Sequence, residues 1–328
     1  MSIRNALGKG IGKVNRAIWF VALLYLANVG FAFILGGILA DQLAESLGSS
    51  ASAQKMLDGY DDYWYANFNT HAQGLATTFH PGVVGIGAVL NAVDATVTGR
   101  LFQSHPAVLG GGILLMVLWA FATGGLLALF LRPRPVSFFQ EGARFFFRMA
   151  VLALMALFIY HLIFHYLLEP LLGWLREVNR DVLDERVDFF SHLLVYLAVW
   201  MLVGLVSLIF DYSKIITVHH NMTMAFLAPV KAAWFIVKHP GRTVGLYLSL
   251  SLFWLVAVGI YWLVAPGVGQ NTWSKIWLAF ALGQVFIFFR IWLRALFFAA
   301  QGSLYAGLVP APAVSSQPAP TETGEVAA

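Results

Sequence analysis

The chain contains no cysteine and very little charge. Without cysteine it can form no disulfide, no thiolate metal site and no cysteine nucleophile. Charged residues make up only 11% of the sequence, whereas roughly a quarter is usual in soluble domains. Hydrophobic residues make up 59%, which is more apolar surface than a soluble core can absorb. The composition therefore predicts an integral membrane protein.

No segment carries a specific catalytic motif or a nucleic-acid-binding motif. The sequence pI of 9.3 would favour nucleic-acid binding in a soluble protein, but beside a bilayer it reflects Lys and Arg at the membrane surface. We therefore expect no nucleic-acid partner, no intrinsic catalysis and no cofactor.

Long apolar runs predict six transmembrane helices. About 20 apolar residues are needed, because a rise of ~1.5 Å per residue must cross ~30 Å of hydrocarbon. The predicted fold class is all-α and polytopic, with a cytoplasmic amphipathic helix at 1–16, a membrane domain at 17–308 and a disordered, proline-rich tail at 309–328. The predicted spans are 18–40, 107–131, 149–168, 189–210, 243–265 and 276–298.

The charges divide between the two ends of these spans. Fourteen of the 20 Lys and Arg residues fall on one side, and twelve of the 16 Asp and Glu residues fall on the other. Because Lys and Arg are retained in the cytoplasm, both termini are predicted to be cytoplasmic and the loop 41–105 extracytoplasmic. Within this loop, the glycine-rich segment 74–99 is either re-entrant or surface-lying.

Three basic, aromatic segments, 3–16, 137–148 and 221–238, are predicted to be amphipathic helices on the cytoplasmic surface. Their cations would contact anionic lipid headgroups, each contributing ~1 kcal/mol near a charged surface. The predicted lipid-contacting residues are Arg4, Lys9, Lys13, Arg16, Arg144, Arg148, Lys231, Lys238 and Arg242.

A histidine cluster is the one predicted metal site. His161, His165 and Glu169 are spaced four residues apart on one helical stripe, and Asp188 and His192 have the same spacing on the next span. Imidazoles and carboxylates suit zinc or iron, and paired histidines can also bind haem. The alternative is that the histidines hydrogen-bond to neighbouring helices while the carboxylates lie among the headgroups.

Asp211 and Arg290 are predicted to form a structural ion pair. Both fall in the inner half of their spans, where an isolated Arg costs ~2.5 kcal/mol or more toward the bilayer centre. The alternative is that Arg290 extends to lipid phosphate and Asp211 faces water.

The stretch from Phe210 to Lys214, followed by His239 to Gly241 and Gly245 to Leu248, resembles uncharacterised multi-pass bacterial inner-membrane proteins. These are similar in turn to the membrane domain of some glycerophosphodiester phosphodiesterases. In that pattern an Asp-Tyr pair ends one span, a basic helix follows the cytoplasmic surface and Pro-Gly begins the next span. The resemblance covers about 137–305 and implies a bacterial inner-membrane protein. The soluble phosphodiesterase domain is absent, so its chemistry is not implied.

We therefore expect a non-catalytic scaffold, accessory subunit or lipid-organising protein. Its expected partners are anionic lipids of the cytoplasmic leaflet, together with other membrane proteins or a second copy of the chain. A small-solute or lipid transporter is one alternative, and would need a polar or broken-helix site near the midplane. A metal- or haem-dependent membrane enzyme built on the histidine cluster is the other.

Overall fold

The computed structural model describes residues 1–48, 51–58, 61–79, 86–99, 106–132, 135–182, 184–265 and 272–309. Every regular element in these ranges is helical. The helices, in chain order, are α1 (Ile3–Arg16), α2 (Ile18–Leu47), α3 (Ala51–Asp58), α4 (Asp62–His71), α5 (Ile86–Val97), α6 (Pro106–Leu131), α7 (Phe138–Leu162), α8 (Glu169–Val178), α9 (Glu185–His219), α10 (Ala228–Lys238), α11 (Pro240–Val264) and α12 (Trp273–Leu308). The predicted tail lies outside the described residues except for Val309.

Within the described part, six helical segments are long and apolar enough to cross a membrane. They are Ile18–Leu47, Val108–Leu131, Phe138–Val178, Glu185–His219, Pro240–Val264 and Trp273–Leu308. The predicted fold class, an all-α polytopic membrane protein with six spans, is confirmed.

Several helices run well past the predicted ends of their spans. α9 has 35 residues and α12 has 36, which at ~1.5 Å per residue is over 50 Å, compared with ~30 Å of hydrocarbon. Both helices thus continue beyond the predicted span ends at 210 and 298, which were set by the limits of apolar runs. Backbone hydrogen bonding instead continues through the polar residues. Likewise, a π-helical turn at Ile163–Leu168 joins α7 to α8 in one unbroken helical rod.

We call the end of the bundle that holds α1, α10 and the last turns of α9 and α12 the basic end, and the opposite end the acidic end. The main core lies at the basic end, where α1 packs antiparallel along α12. A Cβ on Gly10 would lie 3.0 Å from Ala300, and Trp292 donates a hydrogen bond of 3.1 Å to Asn15. The prediction that α1 rests on lipid was wrong for its apolar face, because small residues let it bury that face against protein.

The segment 137–148, predicted as the second interface helix, is the first part of α7 and packs against α6. A Cβ on Gly125 would lie 2.6 Å from the ring of Phe138, and one on Gly124 would lie 2.9 Å from Phe145. The two backbones therefore approach as closely as glycine permits. This contact buries Phe145 completely.

The acidic end contains a smaller cluster around Trp64, Phe68 and Ala76. Asp61 caps α4 by accepting hydrogen bonds from the backbone N–H groups of Trp64 and Tyr63, and the bond from Trp64 is the largest cause of the lowered pKa of Asp61. The described residues of the segment 74–99 include a 3₁₀ turn, Gly74–Thr78, and α5. The 12 residues of α5 cover only about 18 Å and cannot span a bilayer.

Candidate functional site

An exposed apolar stripe runs along α10 and the 3₁₀ turn before it, Ala225–Leu227. We call it the α10 ridge, and it is formed by Phe226, Val230, Trp234 and Val237. These four side chains are 54–70% exposed and recur every three or four residues, so they share one helical face. The opposite face is buried, with Phe235 packed 5.3 Å from Tyr212 and 4.8 Å from Tyr305 between ring centroids. A contiguous apolar stripe of this kind marks a surface that contacts a membrane or a partner.

Three cations lie on α10 or in the first turn of α11, beside the ridge in sequence. Lys231, Lys238 and Arg242 are exposed, and none of them forms an ion pair with another described residue. The Nζ atom of Lys238 lies 5.3 Å from the centre of the Trp234 ring, a cation–π distance. An apolar ridge beside exposed cations is the pattern of a helix that lies in a bilayer interface. The interface role of the third predicted segment therefore stays a prediction, now carried by α10 and the turn before it.

The predicted lipid-contacting residues of α1 differ in exposure and in their protein partners. Arg4, Lys9 and Arg16 are exposed. Lys13 instead donates a hydrogen bond of 2.6 Å from Nζ to the carbonyl oxygen of Phe130. Burial, and secondly the charge of Lys9, lower the pKa of Lys13. Lys13 thus serves as a cationic partner for the last turn of α6, where the helix dipole favours positive charge.

Arg144 and Arg148 also have protein partners. Arg144 lies 3.6 Å from the carboxylate of Glu141, which is buried and also receives a 2.5 Å bond from Arg132. Arg148 donates to the side-chain oxygen of Asn221 at 3.0 Å. Both arginines therefore form contacts within the protein at the basic end.

Asp211 is paired, but not with the predicted residue. Its Oδ1 atom accepts hydrogen bonds of 3.3 Å from Lys214 Nζ and from Arg294 Nη2. We call Asp211, Lys214 and Arg294 the ion triad. The predicted pair with Arg290 was wrong because Arg294, one turn further along α12, lies opposite Asp211.

The ion triad lines a small cavity between α6, α7, α9 and α12, whose other walls include apolar side chains such as Met116 and Leu157. Its volume is about 230 Å³, and a hydrogen bond of 2.7 Å between the hydroxyls of Tyr160 and Ser207 forms part of its wall. Asp211 is only 2% exposed, and its Oδ2 atom has no hydrogen-bond partner among the described residues. With two cations and one carboxylate, the cavity carries a net positive charge.

Arg290 lines a different and larger space, which we call the lateral cavity. It has a volume of about 830 Å³ and lies between α5, α9, α11 and α12. Gln284 also lines it and accepts a 2.8 Å hydrogen bond from the hydroxyl of Tyr25. The guanidinium of Arg290 forms no hydrogen bond or ion pair with any residue in the described ranges.

The predicted metal site is not assembled. His165 pairs with Glu169 at 2.9 Å and stacks on His161, while His192 pairs separately with Asp188 at 3.3 Å. No group of three or more His, Asp and Glu side chains in the described ranges is arranged to hold a metal ion. Sequence spacing predicted equal depth on two helices, but it does not determine how each helix is rotated toward the other.

Sequence reasoning missed Lys214 and Arg294 as partners of Asp211. Lys214 follows Asp211 by three residues, a spacing that brings side chains together on a helix, so this half of the triad had a local signal. Arg294 had none beyond its place on a neighbouring span. Comparisons with protein-family models, curated proteins and solved structures find no match, so function is inferred from this chain's own residues.

Proposed function

We propose that the chain is a non-catalytic, multi-pass protein of a bacterial inner membrane that organises anionic lipids in the cytoplasmic leaflet. The observation that carries this proposal is the α10 ridge with its three flanking cations, Lys231, Lys238 and Arg242. An apolar ridge enters the acyl boundary while the cations meet headgroup phosphates.

The orientation follows from the charge distribution. The basic end holds α1, α10 and the α6–α7 turn, and positively charged segments are retained in the cytoplasm. This charge distribution supports the proposal that both termini are cytoplasmic and that the α10 ridge meets the anionic cytoplasmic leaflet.

The expected free energy of the interaction between the three cations and anionic lipid is moderate, which suits a protein that organises lipids. At ~1 kcal/mol per cation near an anionic surface, the three cations supply ~3 kcal/mol. This raises the preference of the site for anionic over neutral lipid by about a hundredfold at most, since ~1.4 kcal/mol corresponds to a factor of ten in an equilibrium constant. The interaction remains reversible, as expected for a scaffold in a fluid leaflet.

The test is to extract the protein with its surrounding lipid in a membrane-solubilising polymer and to quantify the anionic fraction against bulk membrane. We expect the wild type to be enriched in anionic phospholipid. The variant Lys231→Gln, Lys238→Gln, Arg242→Gln should lose most of this enrichment.

A matched control removes three exposed cations from the acidic end: Arg176→Gln, Arg180→Gln, Arg186→Gln. This control should keep the enrichment of the wild type. Equal enrichment in the α10 variant, or an equal loss in the control, would contradict the proposal. So would a particle in which a second copy of the chain covers the ridge.

A further inference from the structure

The lateral cavity has the size and lining of a ligand site. Its volume of about 830 Å³ lies within the ~300–1,000 Å³ that is usual for binding pockets. Aromatic side chains dominate its walls, among them Trp200, Trp254, Phe280 and Phe286. Trp200 and Phe280 are each more than a third exposed, so the cavity opens to the side of the bundle, where lipid surrounds it.

The cavity extends along α12, in the direction of the membrane normal. Its lining on α12 extends from Ile276 to Arg290, which is about 21 Å at ~1.5 Å per residue. One leaflet contributes about 15 Å of hydrocarbon. The cavity can therefore hold the full length of an acyl chain that enters from either end.

Arg290 places one positive charge at the end of this apolar space. No carboxylate in the described ranges lies within ion-pair distance of it, although its neighbour Arg294 is paired with Asp211. A cation beside an apolar cavity is favourable only with an anion to compensate it. A guanidinium can bind phosphate through two parallel hydrogen bonds.

The depth of Arg290 matches that of lipid phosphate. From Trp273, where α12 begins, about 20 residues cross the hydrocarbon, which places the far boundary near Leu293. Arg290 is within one helical turn of that boundary, and an Arg side chain extends toward the interface.

We propose that the lateral cavity binds one anionic phospholipid from the leaflet at the basic end, with its phosphate on Arg290 and one acyl chain lying along α12 toward Ile276. This site goes beyond the lipid contact of the α10 ridge and does not depend on it. The ridge meets many exchanging lipids, whereas the lateral cavity holds a single molecule.

Native mass spectrometry of the protein in mild detergent tests this proposal by counting lipids retained through delipidation. The wild type should retain one phospholipid. Arg290→Gln should reduce the retained fraction about tenfold, the change that ~1.4 kcal/mol of lost binding free energy produces. Ala279→Phe, which fills the cavity, should abolish retention. Leu278→Phe is the matched control, since Leu278 does not line the cavity, and it should retain the lipid.

A second measurement uses the unaltered chain, so that it holds even if a variant misfolds. A phospholipid with a photoreactive acyl chain should cross-link to the cavity-lining peptide of α12, between Ile276 and Ile287. The proposal would be overturned if the wild type retained no lipid or retained a molecule without phosphate. It would also be overturned if Arg290→Gln or Ala279→Phe retained the lipid fully, or if cross-links formed only outside the cavity. The Lys231, Lys238, Arg242 variant separates the two sites, because it should keep the single lipid while losing anionic enrichment; loss of both would overturn the independence of this site.

Discussion

Replacing Asp211 with Asn tests the ion triad most sharply. Asp211 is 2% exposed, and the side chain of Lys214 that it pairs with is 15% exposed. Removing the carboxylate leaves the lysine charge largely buried without its counter-charge. Breaking a buried pair in this way costs ~3–5 kcal/mol, and we expect about 3 kcal/mol, the low end of that range, because asparagine keeps an oxygen that can accept a hydrogen bond.

Arg294 contributes less to the same cluster. Its side chain is 43% exposed, so its pairing with Asp211 resembles a surface ion pair worth ~0–1 kcal/mol. Double-mutant cycles should therefore give the largest coupling between Asp211 and Lys214, a smaller one with Arg294, and additivity between Asp211 and Arg290 within ~0.5 kcal/mol.

The assay is reversible unfolding of the detergent-solubilised protein, monitored by the circular dichroism signal of its helices. Asp181→Asn, at an exposed position near the acidic end, is the control and should change the free energy of unfolding by less than ~0.5 kcal/mol. The reasoning is refuted if Asp211→Asn is as harmless as the control, or if Asp211 couples to Arg290 as strongly as to Lys214.

Two further predictions concern packing and pH. Gly125→Ala should destabilise the protein by ~1–3 kcal/mol through overpacking, because the new Cβ would lie 2.7 Å from the carbonyl oxygen of Phe138. The control is Gly110→Ala, whose new Cβ would have nothing within 4 Å. Equal melting temperatures for the two variants would contradict the α6–α7 contact. Burial, and secondly the charge of Lys231, lower the pKa of His220, so below its unfolded pKa of ~6.5 the unfolded chain binds more protons than the folded one. The free energy of unfolding should therefore fall as the pH drops below about 6.5, and the fall should be smaller in His220→Gln; an unchanged pH profile in that variant would refute this.

The six helices that are long and apolar enough to span a membrane could be predicted from the sequence, but the ends of these helices could not. Apolar length is a property of the local sequence, whereas the pairing that lets α9 and α12 continue past Asp211 and Arg294 is tertiary. The prediction that the apolar face of α1 meets lipid was wrong for a related reason. Amphipathic spacing is the same whether an apolar face meets lipid or another helix, and only the small residues Ala6 and Gly10 indicated close helix packing. At α10 the same pattern led to the expected exposed face.

The central claim is that the α10 ridge lies in the membrane surface, and site-directed spin labelling along α10 tests it most directly. Because the chain has no cysteine, single cysteines can be placed without background. Labels at Val230, Trp234 and Val237 should be more accessible to lipid-soluble oxygen than to a water-soluble nickel complex, with the reverse at Lys231 and Lys238. Equal access of the nickel complex to all five positions would contradict the claim, because it would place the ridge in water.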